Sequence, residues 1–210
     1  MIEYVQPHDP DDRIIKKAVS ILEEGGIIAY PTDSSWGIGC SSESAKGLEK
    51  LSRLREDKKT QFSLICSSIS QMSTVANIDN QSFRIIKQNT PGPFVFVLKA
   101  IRKVEKMIGE KRAEVGLRIP AHEIPKRLVD VLGAPLFSIT ASKDMMDVYG
   151  LDAEYPEENL LECGWELENI RGIDLIIDSG EALEKSLSTV LRLDGGVVEV
   201  LRYGDGKLEE

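Results

Sequence analysis

The sequence has few of the residues that build crosslinked, metal-bound or membrane-spanning proteins. Its three cysteines, Cys40, Cys66 and Cys163, are odd in number and far apart, which argues against a disulfide framework or a Cys-x-x-Cys metal site. The two histidines, His8 and His122, are too widely separated to supply a structural zinc site. No apolar run approaches the roughly 18 residues that span a membrane. We therefore expect no protein-bound metal, and any metal ion to arrive with a phosphate ligand.

Length and composition are those of one folded domain. The chain has 210 residues, of which 41% are hydrophobic and 29% are charged, as is typical of a globular protein. This length supports one sizeable core but not two, so we expect a single domain over residues 1–210. The first 12 residues are acidic and lack an apolar core, which predicts no signal peptide, no membrane association and a cytoplasmic location.

Positive charge is also in short supply, and its distribution is uneven. The net charge is −9, from 35 acidic and 26 basic residues, which argues against nonspecific nucleic-acid binding. However, nine of the acids lie in residues 144–170, which contain no Lys or Arg, so the rest of the chain is neutral overall. The basic stretches 46–59 and 99–112 could bind RNA or be solvated faces. The acidic stretch could be a lid or a solvated insertion.

Apolar spacing predicts helices and strands that alternate from end to end. Helices are predicted over 12–24, 43–55, 80–89 and 122–132. Strands are predicted over 27–30, 62–66, 94–100, 115–119, 135–141, 173–177, 189–193 and 197–201, and residues 142–172 as a long excursion with one helical turn. Short connections between the last strands indicate a mixed sheet. We therefore expect an α/β fold with flanking helices.

Two common nucleotide and hydrolase motifs are missing. The chain has neither a GxxxxGK[ST] loop nor a GxSxG elbow. The run Gly37-x-Gly39-x-x-Ser42 is close to a dinucleotide fingerprint, but six residues separate it from the preceding predicted strand. Because that fingerprint requires its glycines directly after the strand, we interpret this run as a turn.

Polar residues at predicted strand ends are the candidates for a ligand site, since ligands of α/β sheets bind where strand ends meet. Arg118 is the most informative, because a guanidinium inside an apolar strand needs a carboxylate or phosphate partner. That partner could be a ligand or an internal acid. The other candidates lie at strand ends or follow a helix: Thr32, Asp33, Ser34, Arg55, Lys58, Lys59, Thr140, Ser142, Ser188, Thr189 and Arg202.

Six segments resemble the threonylcarbamoyl-AMP synthase family, also called the YrdC-like family, in order and spacing. They are GGIIAYPTDSSWGIGC (25–40), TPGPFVFVLKA (90–100), VGLRIPAHEIP (115–125), PLFSITAS (135–142), STVLRL (188–193) and VLRYGDG (200–206). The resemblance implies a twisted mixed sheet around a concave site. It also implies a nucleotidyltransferase that converts threonine, bicarbonate and Mg²⁺-bound ATP to threonylcarbamoyl-AMP and pyrophosphate, for tRNA modification.

The resemblance assigns expected roles to individual residues. Thr32 matches a threonine that lines the threonine pocket, and Arg118 matches the arginine that holds the threonine carboxylate, a bidentate task suited to arginine. Ser188 and Thr140 are expected near the same substrate. Thr32 and Ser188 could instead satisfy turn backbones. No catalytic nucleophile is implied, because the reaction needs positioning and cationic stabilisation.

The nucleotide side is expected to include Arg55, Lys58, Lys59, Ser142 and Arg202, although Arg202 could also be a surface residue. Here the sequence departs from the family pattern. The family's Lys-x-Arg becomes Arg-Glu-Asp at 55–57, where Lys58 or Lys59 could replace the lost cation. Its Ser-x-Asn becomes Thr-Ala-Ser at 140–142, which loses an amide that both donates and accepts hydrogen bonds.

These departures, together with Trp36 in place of a tyrosine, resemble the YciO-like branch. Three functions remain open: a synthase or a paralogue acting on a related adenylate, an RNA-binding module, and a small-molecule binder without catalysis.

Overall fold

The computed structural model describes residues 1–54, 62–108, 114–146 and 156–208. Within these residues ten strands form one sheet, in the order β1-β8-β2-β3-β7-β4-β6-β5-β9-β10. The strands are β1 (Ile2–Tyr4), β2 (Ile28–Tyr30), β3 (Gly37–Ser41), β4 (Ser63–Ile65), β5 (Phe94–Lys99), β6 (Glu114–Arg118), β7 (Leu136–Thr140), β8 (Leu175–Asp178), β9 (Thr189–Asp194) and β10 (Val197–Arg202).

Helices flank this sheet, and their ends follow local capping signals. The helices are α1 (Asp12–Glu23), α2 (Ala45–Arg53), α3 (Ile69–Met72), α4 (Asn80–Gln88), α5 (Arg102–Ile108) and α6 (Glu123–Leu132). Asp11 caps α1 by accepting a hydrogen bond from the Arg13 amide, and His122 caps α6 through Nδ1. Gly133, at φ 71°, ends α6 in the left-handed conformation that favours glycine.

The sheet is mixed, as predicted. The β1–β8, β8–β2, β4–β6 and β5–β9 pairs are parallel, and the remaining pairs are antiparallel. Of the last three strands, β9 and β10 form an antiparallel hairpin, as their short connection predicts. However, β8 lies at the other end, between β1 and β2, because strand order depends on long-range pairing and not on chain proximity.

Two hydrophobic clusters cover the two faces of the sheet. One contains the buried side chains of α2 to α5, among them Leu51, Met72 and Val104, packed on Phe96 and Phe137 of the sheet. The other contains the buried faces of α1 and α6, packed on the opposite face of β2 and β8. Among the described helices, only α1 and α6 contribute buried side chains to this second cluster, which leaves part of the central strands open on that face.

The glycine run at 37–42 is a strand and not the turn that we predicted. A Cβ atom at Gly39 would lie 2.8 Å from the Phe137 carbonyl oxygen and 3.0 Å from the Tyr30 hydroxyl. Glycine is therefore needed here because the neighbouring strands approach closely. The sequence pattern of two glycines is equally typical of a turn, which is why a turn was predicted. Three short elements, β1, α3 and α5, were also not predicted.

The described part of the acidic stretch is packed and not a solvated insertion. It forms short 3₁₀ helices at Lys143–Met145, Pro156–Asn159 and Gly164–Asn169. Its apolar side chains Leu160, Leu161, Leu167 and Ile170 are buried. In the described ranges no helix is long and apolar enough to cross a membrane.

Candidate functional site

A cavity of about 590 Å³ opens on the sheet face that α1 and α6 leave partly uncovered. Ile65 belongs both to the α1–α6 cluster and to the cavity lining, which places the cavity on that face. The floor comes from alternate residues of neighbouring strands, since successive side chains of a strand point to opposite faces. These floor residues are Gly37, Thr140, Ser138, Ser63, Gly116 and Val97.

The floor residues have small side chains, which leave space above the sheet for a ligand. A Cβ atom at Gly116 would lie 2.9 Å from Val95 Cγ1 and 3.2 Å from Ser63 Oγ. On the same face of the sheet, the Tyr30 hydroxyl donates a buried hydrogen bond of 2.8 Å to Ser138 Oγ. Burial raises the pKa of Tyr30 above its ordinary value, so the phenol remains a donor. The floor therefore presents hydroxyl groups on a rigid, close-packed support.

Arg118 has an internal acidic partner and also lines the cavity, so both roles that its sequence position predicts are compatible. Its Nη2 donates to Asp33 Oδ1 at 2.5 Å and to Ser34 Oγ at 3.0 Å, so an internal ion pair exists. The same side chain lines the cavity and is only 8% exposed. Arg118 Nε and Asp33 Oδ2 are buried and have no hydrogen-bond partner among the described residues. The pair thus holds the guanidinium at one nitrogen.

Thr32 closes the turn after β2 and also lines the cavity. Its hydroxyl donates to the Ser35 carbonyl oxygen at 2.6 Å and accepts the Ser34 and Ser35 amides, each at 3.2 Å. The alternative that this threonine satisfies a turn backbone is therefore observed. Because it is also part of the lining, the structural role does not remove it from the site.

Ser188 and Arg202 lie together on the cavity wall. Arg202 Nε and Nη2 both donate to the Ser188 carbonyl oxygen, at 3.1 and 2.9 Å. Desolvation, and then the positive charge of Arg118, lower the pKa of Arg202, although the residue as a whole is exposed. Two guanidinium groups around one cavity repel each other. An anionic occupant would relieve that repulsion.

Thr140 and Ser142 also line the cavity, at the end of β7 and just after it. Beyond them Asp144 and Met145 form part of the wall. A bridge between Ser142 and Leu160 links this wall to the acidic stretch.

The predicted cations Arg55, Lys58 and Lys59, and the charge-reversing Asp57, lie outside the described residues. Their assignment to the nucleotide side remains a prediction. In the described ranges no group of three or more His, Cys, Asp or Glu side chains could hold a metal ion.

Several residues of the site received no predicted role. Ser138 could have been found, because PLFSITAS alternates apolar and polar residues and Ser138 falls on the polar side. Ser34 follows the same predicted strand as Thr32, but the sequence assigns it no role, since its contacts with Arg118 and Ser188 join distant segments. Trp36 was noted only as a departure. The residue lines the cavity, while its fully buried ring packs in the hydrophobic cluster of α2 to α5 and donates from Nε1 to the Glu162 carbonyl oxygen at 3.1 Å.

Two cysteines are core residues, as predicted. Cys40 and Cys66 are buried, and burial raises the pKa of each thiol to about 12. They are therefore protonated near neutral pH and unsuited to act as nucleophiles.

Comparison with known proteins identifies relatives along most of the chain. The profile of the Sua5/YciO/YrdC family, described as "Telomere recombination", matches residues 20–204. Escherichia coli (strain K12) YciO is 34% identical over 208 residues, which covers 98% of this chain and 96% of that protein. The threonylcarbamoyl-AMP synthase of Saccharophagus degradans is 28% identical over 130 residues, covering 61% of this chain and 68% of that enzyme.

Solved structures share the fold. The crystal structure of E. coli YciO matches with a TM-score of 0.80 and covers 99% of this chain and 97% of that chain. P. abyssi Sua5 complexed with L-threonine matches with a TM-score of 0.81 at 24% identity, and covers 97% of this chain and 57% of that chain. At that identity the second match concerns the fold alone. Both agree with the mixed α/β sheet described above.

Proposed function

Because this chain belongs to the Sua5/YciO/YrdC family, we propose that it is a nucleotide-dependent enzyme of the threonylcarbamoyl-AMP synthase type. It would use threonine, bicarbonate and ATP with Mg²⁺, or it would form a closely related adenylate as a paralogue. The observation that carries this proposal is one hydroxyl-lined cavity that contains both Arg118 and Arg202. Two cations in one cavity suit a ligand pair with separate anionic groups.

The amino-acid end of the cavity is proposed to lie at Arg118. Its guanidinium is fixed at Nη2 by Asp33 and Ser34, which leaves its other donors for a substrate carboxylate. Thr140 and Ser188 supply hydroxyl groups to the same cavity, and Thr32 contributes to its lining through the turn that its hydroxyl closes. The relatives named threonylcarbamoyl-AMP synthase and the Sua5 complex with L-threonine support threonine as the first substrate to test.

The nucleotide end is proposed to include Arg202 and Ser142, which both line the cavity. Arg55, Lys58 and Lys59 are proposed to approach the phosphates from the segment after α2. Apolar side chains of β5 and β9, including Val95, Val97 and Val190, line the same cavity and offer a surface for a flat base. Mg²⁺ would enter with ATP as part of that substrate.

The chemistry requires positioned cations more than a nucleophilic side chain. The threonine amine and bicarbonate give a carbamate with loss of water, and a carbamate oxygen then attacks the α-phosphorus of ATP. The bond between the α-phosphorus and its bridging oxygen breaks, and pyrophosphate leaves with the electron pair. Negative charge builds on the phosphate oxygens during this step, where Arg202 and the proposed cations would stabilise it.

A turnover assay tests this proposal. Purified protein is incubated with ATP, Mg²⁺, threonine and bicarbonate, and pyrophosphate release and adenylate mass are followed. We expect threonine-dependent formation of threonylcarbamoyl-AMP, and a loss of at least about tenfold in kcat/KM in Arg118→Lys, which keeps a charge but not the bidentate geometry.

The matched control is Arg53→Lys, which alters an exposed arginine of α2 that is paired with Glu49. If folded protein gives no adenylate with threonine or with the other amino acids, the proposal is wrong.

A further inference from the structure

Ser34 connects three residues of the site although it does not line the cavity itself. Its hydroxyl lies 3.0 Å from Arg118 Nη2, 3.4 Å from Thr32 Oγ1 and 3.5 Å from Ser188 Oγ. These partners come from β6, the turn after β2 and the segment before β9, which are distant in sequence. Ser34 is only 3% exposed, so water does not compete for these contacts.

The direction of hydrogen bonding through Ser34 follows from the capacity of each partner. A hydroxyl group donates one hydrogen bond and accepts two. Thr32 gives its proton to the Ser35 carbonyl oxygen and accepts two backbone amides, so it has no lone pair left for the Ser34 proton. Arg118 Nη2 can only donate. The proton of Ser34 is therefore left to point toward Ser188 Oγ.

Ser188 then accepts on the side of Ser34, and its own proton is directed elsewhere. Its side chain lines the cavity, which is where a hydrogen-bond acceptor of a ligand would lie. Asp33 binds Nη2 of Arg118 as well, but in the described part of the chain Ser34 is the residue that joins Nη2 to Ser188. Charge on Arg118 strengthens such a chain of hydrogen bonds.

We propose that Ser34 is a positioning residue that holds the Arg118 guanidinium at Nη2 and orients the Ser188 hydroxyl, so that the remaining N–H groups of Arg118 and the Ser188 hydroxyl donate to one carboxylate of the substrate. This assignment rests on the proposed function, because that function makes the anionic group an amino-acid carboxylate. Ser34 touches neither substrate; it acts through the two residues that do.

Binding of L-threonine by titration calorimetry tests the proposal. We expect Ser34→Ala to weaken L-threonine binding by about tenfold, the value of one hydrogen bond to a charged group. Affinity for L-threoninamide, which lacks the carboxylate, should change by less than about twofold. In turnover, the KM for threonine should rise while the KM for ATP stays constant.

Two variants separate positioning from packing. Ser34→Thr keeps the hydroxyl group and should bind L-threonine within about twofold of the unmodified protein. Ser34→Cys nearly keeps the volume but has a weak donor, and should lose as much affinity as Ser34→Ala; it also replaces that variant if alanine fails to fold. The control is Ser82→Ala, which removes an equally buried serine from α4, away from the cavity.

A double-mutant cycle completes the test. Because Ser34 acts through Ser188, Ser34→Ala with Ser188→Ala should weaken L-threonine binding less than the product of the two single effects. Full multiplication of the effects would overturn the proposal, as would an equal loss for L-threonine and L-threoninamide, or no loss in Ser34→Ala and Ser34→Cys.

The proposed function can fail separately. Carboxylate-dependent effects of Ser34 without any adenylate product would support the positioning role and reject the enzyme. Adenylate formation, together with unchanged L-threonine binding in Ser34→Ala, would support the enzyme and reject the positioning role of Ser34. If neither L-threonine nor acetate, as a bare carboxylate, binds the unmodified protein, the carboxylate assignment is overturned.

Discussion

Replacing Arg118 by methionine should destabilise the protein far more than the loss of a solvent-exposed ion pair would. The side chains of Arg118 and Asp33 are 8% and 12% exposed, and their nitrogen and oxygen atoms lie 2.5 Å apart. Such burial gives little screening by solvent. Arg118→Met keeps much of the volume but leaves the Asp33 carboxylate buried without its cation, which costs about 3–5 kcal/mol.

The second half of this prediction concerns the pair as a unit. Asp33→Asn in the Arg118→Met background removes the uncompensated charge. We expect it to recover at least about half of the lost stability, because replacing both members of a buried ion pair is often close to neutral. The double variant should still fail to bind a carboxylate, since the guanidinium is gone. Stability and binding are therefore expected to separate.

Urea denaturation followed by circular dichroism measures these changes, with the slope compared to confirm that the variants unfold alike. The control is Arg53→Met, which breaks a pair with Glu49 whose side chains are 74% and 67% exposed and should cost less than about 1 kcal/mol. If Arg118→Met costs no more than this control, or if Asp33→Asn adds to its loss, the buried pair does not act as described.

Two further predictions concern the core. Iodoacetamide at pH 8 should leave Cys40 and Cys66 unmodified in the folded protein, because burial raises the pKa of both thiols to about 12. Peptide mass mapping should show both cysteines labelled only after unfolding. Rapid labelling of either cysteine in the native state would contradict this prediction. Gly39→Ala should lower the free energy of unfolding by about 1–3 kcal/mol, since its Cβ would lie 2.8 Å from a backbone oxygen. The control is Ser73→Ala on the exposed surface, because Gly172→Ala would itself be strained by a positive φ. Equal stability of Gly39→Ala and Ser73→Ala would refute the close approach.

Local signals in the sequence were enough for most elements. The helix predicted over 12–24 is observed at Asp12–Glu23, because its apolar spacing and its Asp11 cap act within a few residues. The strand predicted over 94–100 is observed at Phe94–Lys99 for a similar reason, as a run of apolar residues between turn signals. Family segments along the chain likewise allowed the family to be predicted, and the family profile confirms it.

Elements whose residues serve distant contacts were not predicted correctly. Gly37 and Gly39 belong to a strand because Tyr30 and the neighbouring strand approach them closely, which no local pattern reveals. Likewise, β8 follows the acidic stretch in sequence but pairs with β1 and β2 at the far end of the sheet.

The candidate site divides in the same way. Thr32, Arg118, Ser188 and Arg202 could be chosen from residue type and the family resemblance, and the structure brings all four to one cavity. The sequence alone thus determined which chemical groups this protein has and which local elements carry them, because helix periodicity, caps and strand patterns depend on near neighbours. Only the tertiary structure decided that Arg118 is held by Asp33 and Ser34, since those contacts join residues more than eighty positions apart, whose proximity depends on how the whole sheet is assembled.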